Sequence, residues 1–421
     1  MSVVRIPTDN HPDYDDRFDH APNFKFYGGK VKFGTNRVDN ANDNYGSASA
    51  FVPKYFSCEQ KAPTMVSFVY VYMKTYKNIY NRIISIENLF LSWEKFKKGK
   101  RTKEDVEIFE RDLEPNIFQL HHELASENYQ HQAYTSFFVC DPKLRHINKA
   151  TVRDRIVHHA LFRILNPIFE PSFIATSFSC RIGKGNHKGV EVLRDLTRKV
   201  SNNYTGSCYA LKCDVQKFFD SVGHEVLINI IAKKIRDPQA MNLITNIIRS
   251  YSSRQRDLFH STGLPIGNLT SQLFANIYMN ELDQYVKQTL KVKYYLRYTD
   301  DFIVLADNPN DFENLLSSME HFLKEKLFLS LHPEKVQIRK LHHGIDFLGY
   351  VVRPRHTAIR NKTRKRMIRR INEKIDLYKK GAIDEDKVYA TLNSYTGLLV
   401  HANEHRFSED LKNMVWFRMK E

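Results

Sequence analysis

Three aspartates carry the most specific chemistry in this 421-residue chain. Asp300 and Asp301 lie side by side in Tyr294-Tyr295-Leu296-Arg297-Tyr298-Thr299-Asp300-Asp301-Phe302-Ile303-Val304-Leu305, and Asp214 ends the run Cys208-Tyr209-Ala210-Leu211-Lys212-Cys213-Asp214. Carboxylates are hard oxygen ligands suited to Mg²⁺. Three that converge would serve two ions about 3.5–4 Å apart, which can activate a 3′-hydroxyl and stabilise a leaving pyrophosphate. Mn²⁺ is the alternative ion. Taken singly, each feature has a plainer reading: a solvated turn holds Asp-Asp equally well, and a strand-end Asp is commonly a cap.

The elements that must position these groups are legible nearby. Aromatic and β-branched runs on both sides of Thr299-Asp300 predict a β-hairpin with the carboxylates at its tip, although an Asn-Gly turn signal is absent. Cys208 to Cys213 reads as a strand that delivers Asp214 and leads into Phe218-Phe219. Gly263-Leu264-Pro265-Ile266-Gly267-Asn268 is a turn feeding a long helix. Gly267 gives that turn backbone freedom, and Ser271, Gln272 and Asn276 leave room for a base pair and a sugar. A helix is expected over 311–326, then a strand and turn around Lys335, then an apolar hairpin at Ile345 to Val352.

Cations flank this set. Lys143, Arg145, Lys149, Arg153 and Arg155 surround two strand ends and a helix running to about Leu165, with Asp154 near its N-terminus. They suit a triphosphate and a template backbone, or simply a basic helix surface. Phe178 to His187, including Arg181, is a Gly-containing loop that opens a helix at about Lys188. Arg353 to Arg370 holds nine Lys/Arg and no Asp or Glu, and Asn361 is a candidate helix cap there. A solvated helix face mixes signs, so Arg364, Lys365 and Arg369 are expected on a nucleic-acid backbone.

Composition agrees. The formal charge is +16, which favours a polyanionic partner, and 42% hydrophobic residues exclude wholesale disorder. Five cysteines, an odd number without a paired framework or Cys-x-x-Cys spacing, fit reduced thiols in the cytoplasm, and no signal or membrane span is evident. Residues 1–60 are polar, with an Asp/His cluster that lacks metal-ligand spacing, and Met65 to Tyr72 has a strand pattern. From Asn88 helical periodicity takes over, continuing through Glu104 to Ser126. The Lys97–Arg101 basic run serves a nucleic-acid contact or a solvated loop equally.

In this order the motifs closely resemble the bacterial reverse transcriptases related to group II introns, from about Asn88 to Arg406. The resemblance implies an α+β right-hand polymerase fold. It places an N-terminal extension at 1–82, fingers at 83–204 and a palm at 205–340 with an insertion at about 236–262. A primer-grip hairpin and helical thumb occupy 341–421. It makes Asp214, Asp300 and Asp301 the metal ligands and Lys335 the acid for pyrophosphate. Phe219, beside Phe218, becomes the gate against a ribose 2′-hydroxyl. Lys143, Arg145, Arg181, Gly267 and Gln272 would meet the nucleotide. Ile266, Asn268 and Phe347-Leu348-Gly349-Tyr350 would meet template or primer.

Ile266 and Gln272 stand where many relatives have Gln and Pro, a pattern most like the diversity-generating retroelement branch. Aliphatic Ile266 near the templating base would loosen selection, especially opposite adenine. The partners implied are an RNA template, a DNA or protein primer and dNTPs. An accessory protein or self-association is left open. The first 80 or so residues have no counterpart in that branch, and antiphage defence reverse transcriptases often carry added segments. The chain ends just past the expected thumb, so maturase DNA-binding and endonuclease domains are not expected. A non-catalytic RNA-binding protein of the same fold is the contrasting reading, against which the intact aspartates argue.

Overall fold

The computed structural model describes residues 74–140, 144–253 and 261–420. Lys143, the Asp/His cluster, the Met65–Tyr72 run and part of the 236–262 insertion therefore lie outside the described residues. The helical beginning comprises α1 (Tyr80–Ile84), α2 (Ile86–Phe96), α3 (Glu104–Arg111) and α4 (Leu113–Ala125). The single helical stretch expected over 104–126 breaks at Asp112. Pro115 causes this, because its ring would clash with the Arg111 carbonyl if the helix were continuous. Next come the antiparallel hairpin β1 (Thr135–Cys140) and β2 (Leu144–Lys149), then α5 (Val152–Phe169) and α6 (Asn186–Val200). Thr151 caps α5 by accepting from the Asp154 N–H, and α5 runs four residues past the expected Leu165.

The site is built on a four-stranded antiparallel sheet: β3 (Tyr209–Asp214), β4 (Tyr295–Tyr298), β5 (Asp301–Ala306) and β6 (Gln337–Lys340), in the order β4-β5-β3-β6. Between β3 and β4 the chain forms α7 (Phe218–Ser221), α8 (His224–Ala232), α9 (Pro238–Arg249) and α10 (Leu269–Gln284). α11 (Asp311–Leu327) lies between β5 and β6. Side chains alternate across the sheet. Leu211, Cys213, Phe302 and Val304 join one core with α5 and α10, whereas Ala210, Leu296, Ile303 and Leu305 join a second. Burial on both faces explains why these strands read as nearly continuous apolar runs.

The second core is shared with α6, with β7 (Ile345–Phe347), β8 (Tyr350–Arg353) and β9 (His356–Ile359), and with α12 (Asn361–Lys379), α13 (Glu385–Leu399) and α14 (His405–Lys420). Met367, Ile371 and Ile375 place α12 in it at helical spacing. Asn361 is the first residue of α12, not its cap: Arg360 holds the cap position and makes no side-chain capping bond. Among the described residues no helix is long and apolar enough to cross a membrane.

Candidate active site

Pairing of β3 with β5 sets Asp214 directly opposite Asp301. Directly opposed side chains share a sheet face and lie within contact range. The Asp214 carboxyl acts on that of Asp301, helping to raise its pKa. By strand alternation both project toward the face of Ala210, Ile303 and Leu305, the side packed by α6 and β7–β9. Asp300 stands in the two-residue turn between β4 and β5, its carbonyl accepting from the Val215 N–H at 3.3 Å.

That turn is strained. Thr299 has φ +55, and of the two central residues only it is positive, the pattern of a type II′ turn in which Gly is preferred. A β-branched residue there costs energy unless its surroundings hold it. Two bonds do so: Thr299 Oγ1 donates to Ser179 Oγ at 2.6 Å, and Arg297 Nη1 donates to the Thr299 carbonyl at 2.9 Å. Arg297 is fully buried and forks onto Asp283 of α10, with Nε at 2.7 Å and Nη2 at 2.6 Å. Tyr295 donates its hydroxyl to the same carboxylate at 2.8 Å. The planar guanidinium thus links α10 to the aspartate turn.

The electrostatics fit a cation-binding group of carboxylates. Desolvation and the negative charges of Asp300 and Asp214 push Asp301 up to about 7, against the opposing pull of Lys212. Desolvation and Asp214 also raise Asp300, with Lys335 and Arg145 opposing. Crowded, desolvated carboxylates that resist ionisation are what a bound divalent cation would relieve. They do not form a closed cage: among the described residues no three His, Cys, Asp or Glu side chains are gathered at metal-ligand geometry. Lys335 Nζ instead lies 2.5 Å from Asp214 Oδ1, placed by a 3-10 turn over Pro333–Lys335.

The remaining expected residues divide into those that reach open surface near this group and those that do not. Of the cations expected around β2 and α5, Lys149 and Arg155 are both held by Asp105, and Arg153 by Glu123. Arg145, exposed on β2, is the described one with its charge felt at Asp300. Phe219 is half-buried, and its carbonyl accepts from the Leu264 N–H at 2.7 Å. Gln272 and Gly267 are exposed, and Ile266 is half-buried. Gly267 has φ +115, and a Cβ there would meet Ile147 at 3.0 Å, so both conformation and space select glycine. Asn148 of β2 holds this loop: its N–H donates to the Ile266 carbonyl at 3.1 Å, and its own carbonyl accepts from Asn268 at 3.0 Å.

Several expected contacts are corrected. Arg181 does not face a nucleotide: its guanidinium is buried against Glu170 and the carbonyls of Ile174 and Ser177, over the Phe173 ring. Phe218 is buried in the core, so only its neighbour Phe219 offers a ring. Asn268 is buried on Asn148. Phe347 and Tyr350 are buried, and Tyr350 donates to the Leu398 carbonyl, which leaves the turn Leu348-Gly349 as the accessible part of that hairpin. Both turn residues have positive φ, +51 and +90, as a type I′ turn demands. Arg364 is tied to Glu404 at 2.5 Å and stacks on Phe407, fastening α12 to α14. Lys365 is exposed, while Arg369 reaches Glu373 one turn along.

Sequence reasoning missed Arg297, Asp283, Ser179 and Lys212. One signal was available. Arg297 interrupts an apolar strand and Asp283 a nearly all-buried helix, and charges at such positions must find each other.

An antiparallel sheet sets Asp214 opposite Asp301 at a strand end, with Asp300 in the adjoining turn, and hard carboxylate oxygens gathered in this way suit a divalent cation. The chain belongs to the reverse transcriptase (RNA-dependent DNA polymerase) family, whose model matches residues 140–352. It is similar to the COX1/OXI3 intron 2 protein of Saccharomyces cerevisiae, 25% identical over 50% of this chain and 30% of that protein. It is 26% identical to protein YkfC of Escherichia coli, over 58% of this chain and 71% of YkfC. The group II intron-encoded protein LtrA of Lactococcus lactis is 24% identical over 56% of this chain and 49% of LtrA. The chain thus spans between about a third and two thirds or so of these relatives, and the likeness is to group II intron proteins.

Proposed function

We propose that the protein copies RNA into DNA, with Asp214, Asp300 and Asp301 holding two divalent ions, Mg²⁺ by preference. The observation that carries this is the register pairing of Asp214 with Asp301 beside the Asp300 turn. Ions at these carboxylates would lower the pKa of a primer 3′-hydroxyl and absorb charge on the leaving pyrophosphate. Lys335, whose Nζ meets Asp214 Oδ1, would give a proton to pyrophosphate. Arg145 would neutralise incoming phosphate charge. Phe219 would exclude a 2′-hydroxyl and so select dNTPs. Residues 83–204, 205–340 and 341–421 are assigned to fingers, palm and thumb, with Lys365 and Arg369 toward the nucleic-acid backbone.

Ile266 and Gln272 support the diversity-generating branch and loosened selection opposite template adenine. The antiphage role remains the alternative, with a dedicated noncoding RNA as template. Sequencing nucleic acid that co-purifies with the protein separates the two: a repeat-derived template indicates diversification, a self-encoded noncoding RNA defence. Asp300→Asn and Asp301→Asn proteins test the site itself. Both should lose dNTP incorporation on an RNA template while retaining RNA binding, and unchanged incorporation would defeat the assignment.

A further inference from the structure

A cleft of about 360 Å³ opens between α3, α4 and the irregular segment before β1. Apart from Arg153, its lining lies ahead of the residues matched by the family model. We propose that it binds an unpaired nucleobase, with adenine preferred. The volume is that of a small-molecule site. Phe109 and Leu120 supply an apolar floor. The walls are carboxamides, each of which presents a donor beside an acceptor, the pattern that pairs with a base edge.

The amides are not equivalent. Asn116 Nδ2 donates to the Phe109 carbonyl, Gln119 Nε2 to Glu123 and Asn128 Nδ2 to Ser126. Among the described residues, the side chains of Gln130 and Gln132 have no such partner, although their backbones are fixed. The Gln130 carbonyl accepts from Arg153 Nη1 at 3.2 Å, and the Gln132 N–H donates to the buried Asp154 carboxylate at 3.1 Å. Two free carboxamides on a pinned backbone, two residues apart, thus line one cleft with their donors and acceptors uncommitted.

Charge narrows the ligand. The one cation in the lining, Arg153, is neutralised by Glu123 and lies over the Tyr129 ring at 4.8 Å. A phosphate or carboxylate finds no free cation there. A neutral planar heterocycle finds an aromatic floor and two amide edges, which is how single-stranded RNA bases are read. The same chemistry would accept a base from a free nucleotide.

The test uses the full chain and the double variant Gln130→Ala/Gln132→Ala. Both side chains are exposed, so the fold should be kept. Fluorescence anisotropy would compare labelled oligoadenylate and oligouridylate of equal length, with unlabelled AMP as competitor. The variant should bind oligoadenylate at least about fivefold more weakly, with a smaller loss for oligouridylate. Competition by AMP against the wild type would make a mononucleotide the ligand, and its failure would make it a base within a strand. Equal binding by both proteins, or equal losses on both oligomers, would overturn the proposal. Extension of a pre-annealed primer should be unaffected, which keeps this result separate from the polymerase assignment.

Discussion

Arg297 and Asp283 form a fully buried, two-pronged ion pair that joins helix α10 to the turn carrying Asp300. The same guanidinium donates to the Thr299 carbonyl, so the pair governs a residue whose φ of +55 needs outside support. Removing one partner of a buried pair strands the other charge and costs about 3–5 kcal/mol. Asp283→Ala should therefore lower the urea unfolding free energy by about that amount and reduce incorporation in the fraction that stays folded. An unchanged unfolding midpoint would show that the pair contributes no net stability.

Asp301 carries the opposite expectation. Its carboxyl is pushed up to about 7 by desolvation and by Asp300 and Asp214. At pH above that value, ionised Asp301 sits unfavourably in the metal-free protein. Asp301→Asn removes the charge and nearly keeps the shape. The apo variant should be more stable than wild type, by roughly 1–3 kcal/mol at about pH 8, while incorporation falls by about 100-fold or more. Thermal melting without divalent ions, run beside an incorporation assay, checks both halves. A melting temperature below that of wild type would contradict the crowding.

What the sequence made legible was whatever depends on local pattern. Apolar, aromatic and β-branched runs mark β3, β4 and β5, Thr299-Asp300 is the turn between β4 and β5, and Asp214 falls at a strand end. Side-chain direction was not legible. Arg181 and Arg364 look in sequence like their basic neighbours, yet Glu170 and Glu404 claim them from segments 11 and 40 residues away. Phe347 and Tyr350 flank an accessible turn but point into the core, because a two-residue hairpin turns both flanking positions to one face. The Asn148 clamp on Ile266 is likewise a tertiary pairing across more than a hundred residues, which no periodicity announces.

Phe219 gives a prediction about sugar choice. Its ring is half-buried and packs edge-on against buried Phe218, with centroids 5.3 Å apart, so the backing ring limits its retreat. Phe219→Ala opens that space. Discrimination between dNTP and rNTP, measured as the ratio of kcat/KM values on one RNA template, should fall at least about tenfold. The loss should come from improved rNTP use and not from poorer dNTP use. A preserved ratio would remove Phe219 from sugar selection.

A pair of buried histidines contributes to the acid sensitivity of the fold. His131 and His158 meet through their Nε2 atoms at 3.2 Å, and the His131 Nδ1 lies 2.7 Å from the Gln132 carbonyl. A carbonyl only accepts, so His131 carries its proton on Nδ1 and takes one from His158 at Nε2. A further proton on His131 would set two N–H groups against each other. Burial pulls both imidazoles below the usual value, His158 well below it and fully enclosed. Buried Asp154, at 3.9 Å from His131 Nδ1, opposes the shift only at His131, and Arg153 adds to it there. His159 and Arg155 deepen the shift at His158. Between the depressed folded values and the ordinary value near 6.5, the unfolded chain binds more protons than the folded one, so stability rises with pH. The contribution is complete above about 6.5 and is lost as pH falls below it. The histidine pair pulls the melting temperature down between about pH 7 and pH 5, against the opposite trend set by the raised carboxyls of Asp300 and Asp301, and His158→Gln, which cannot be protonated, should shift the observed slope toward the carboxyl trend while lowering stability at pH 7. An identical slope in the variant would place the acid sensitivity elsewhere.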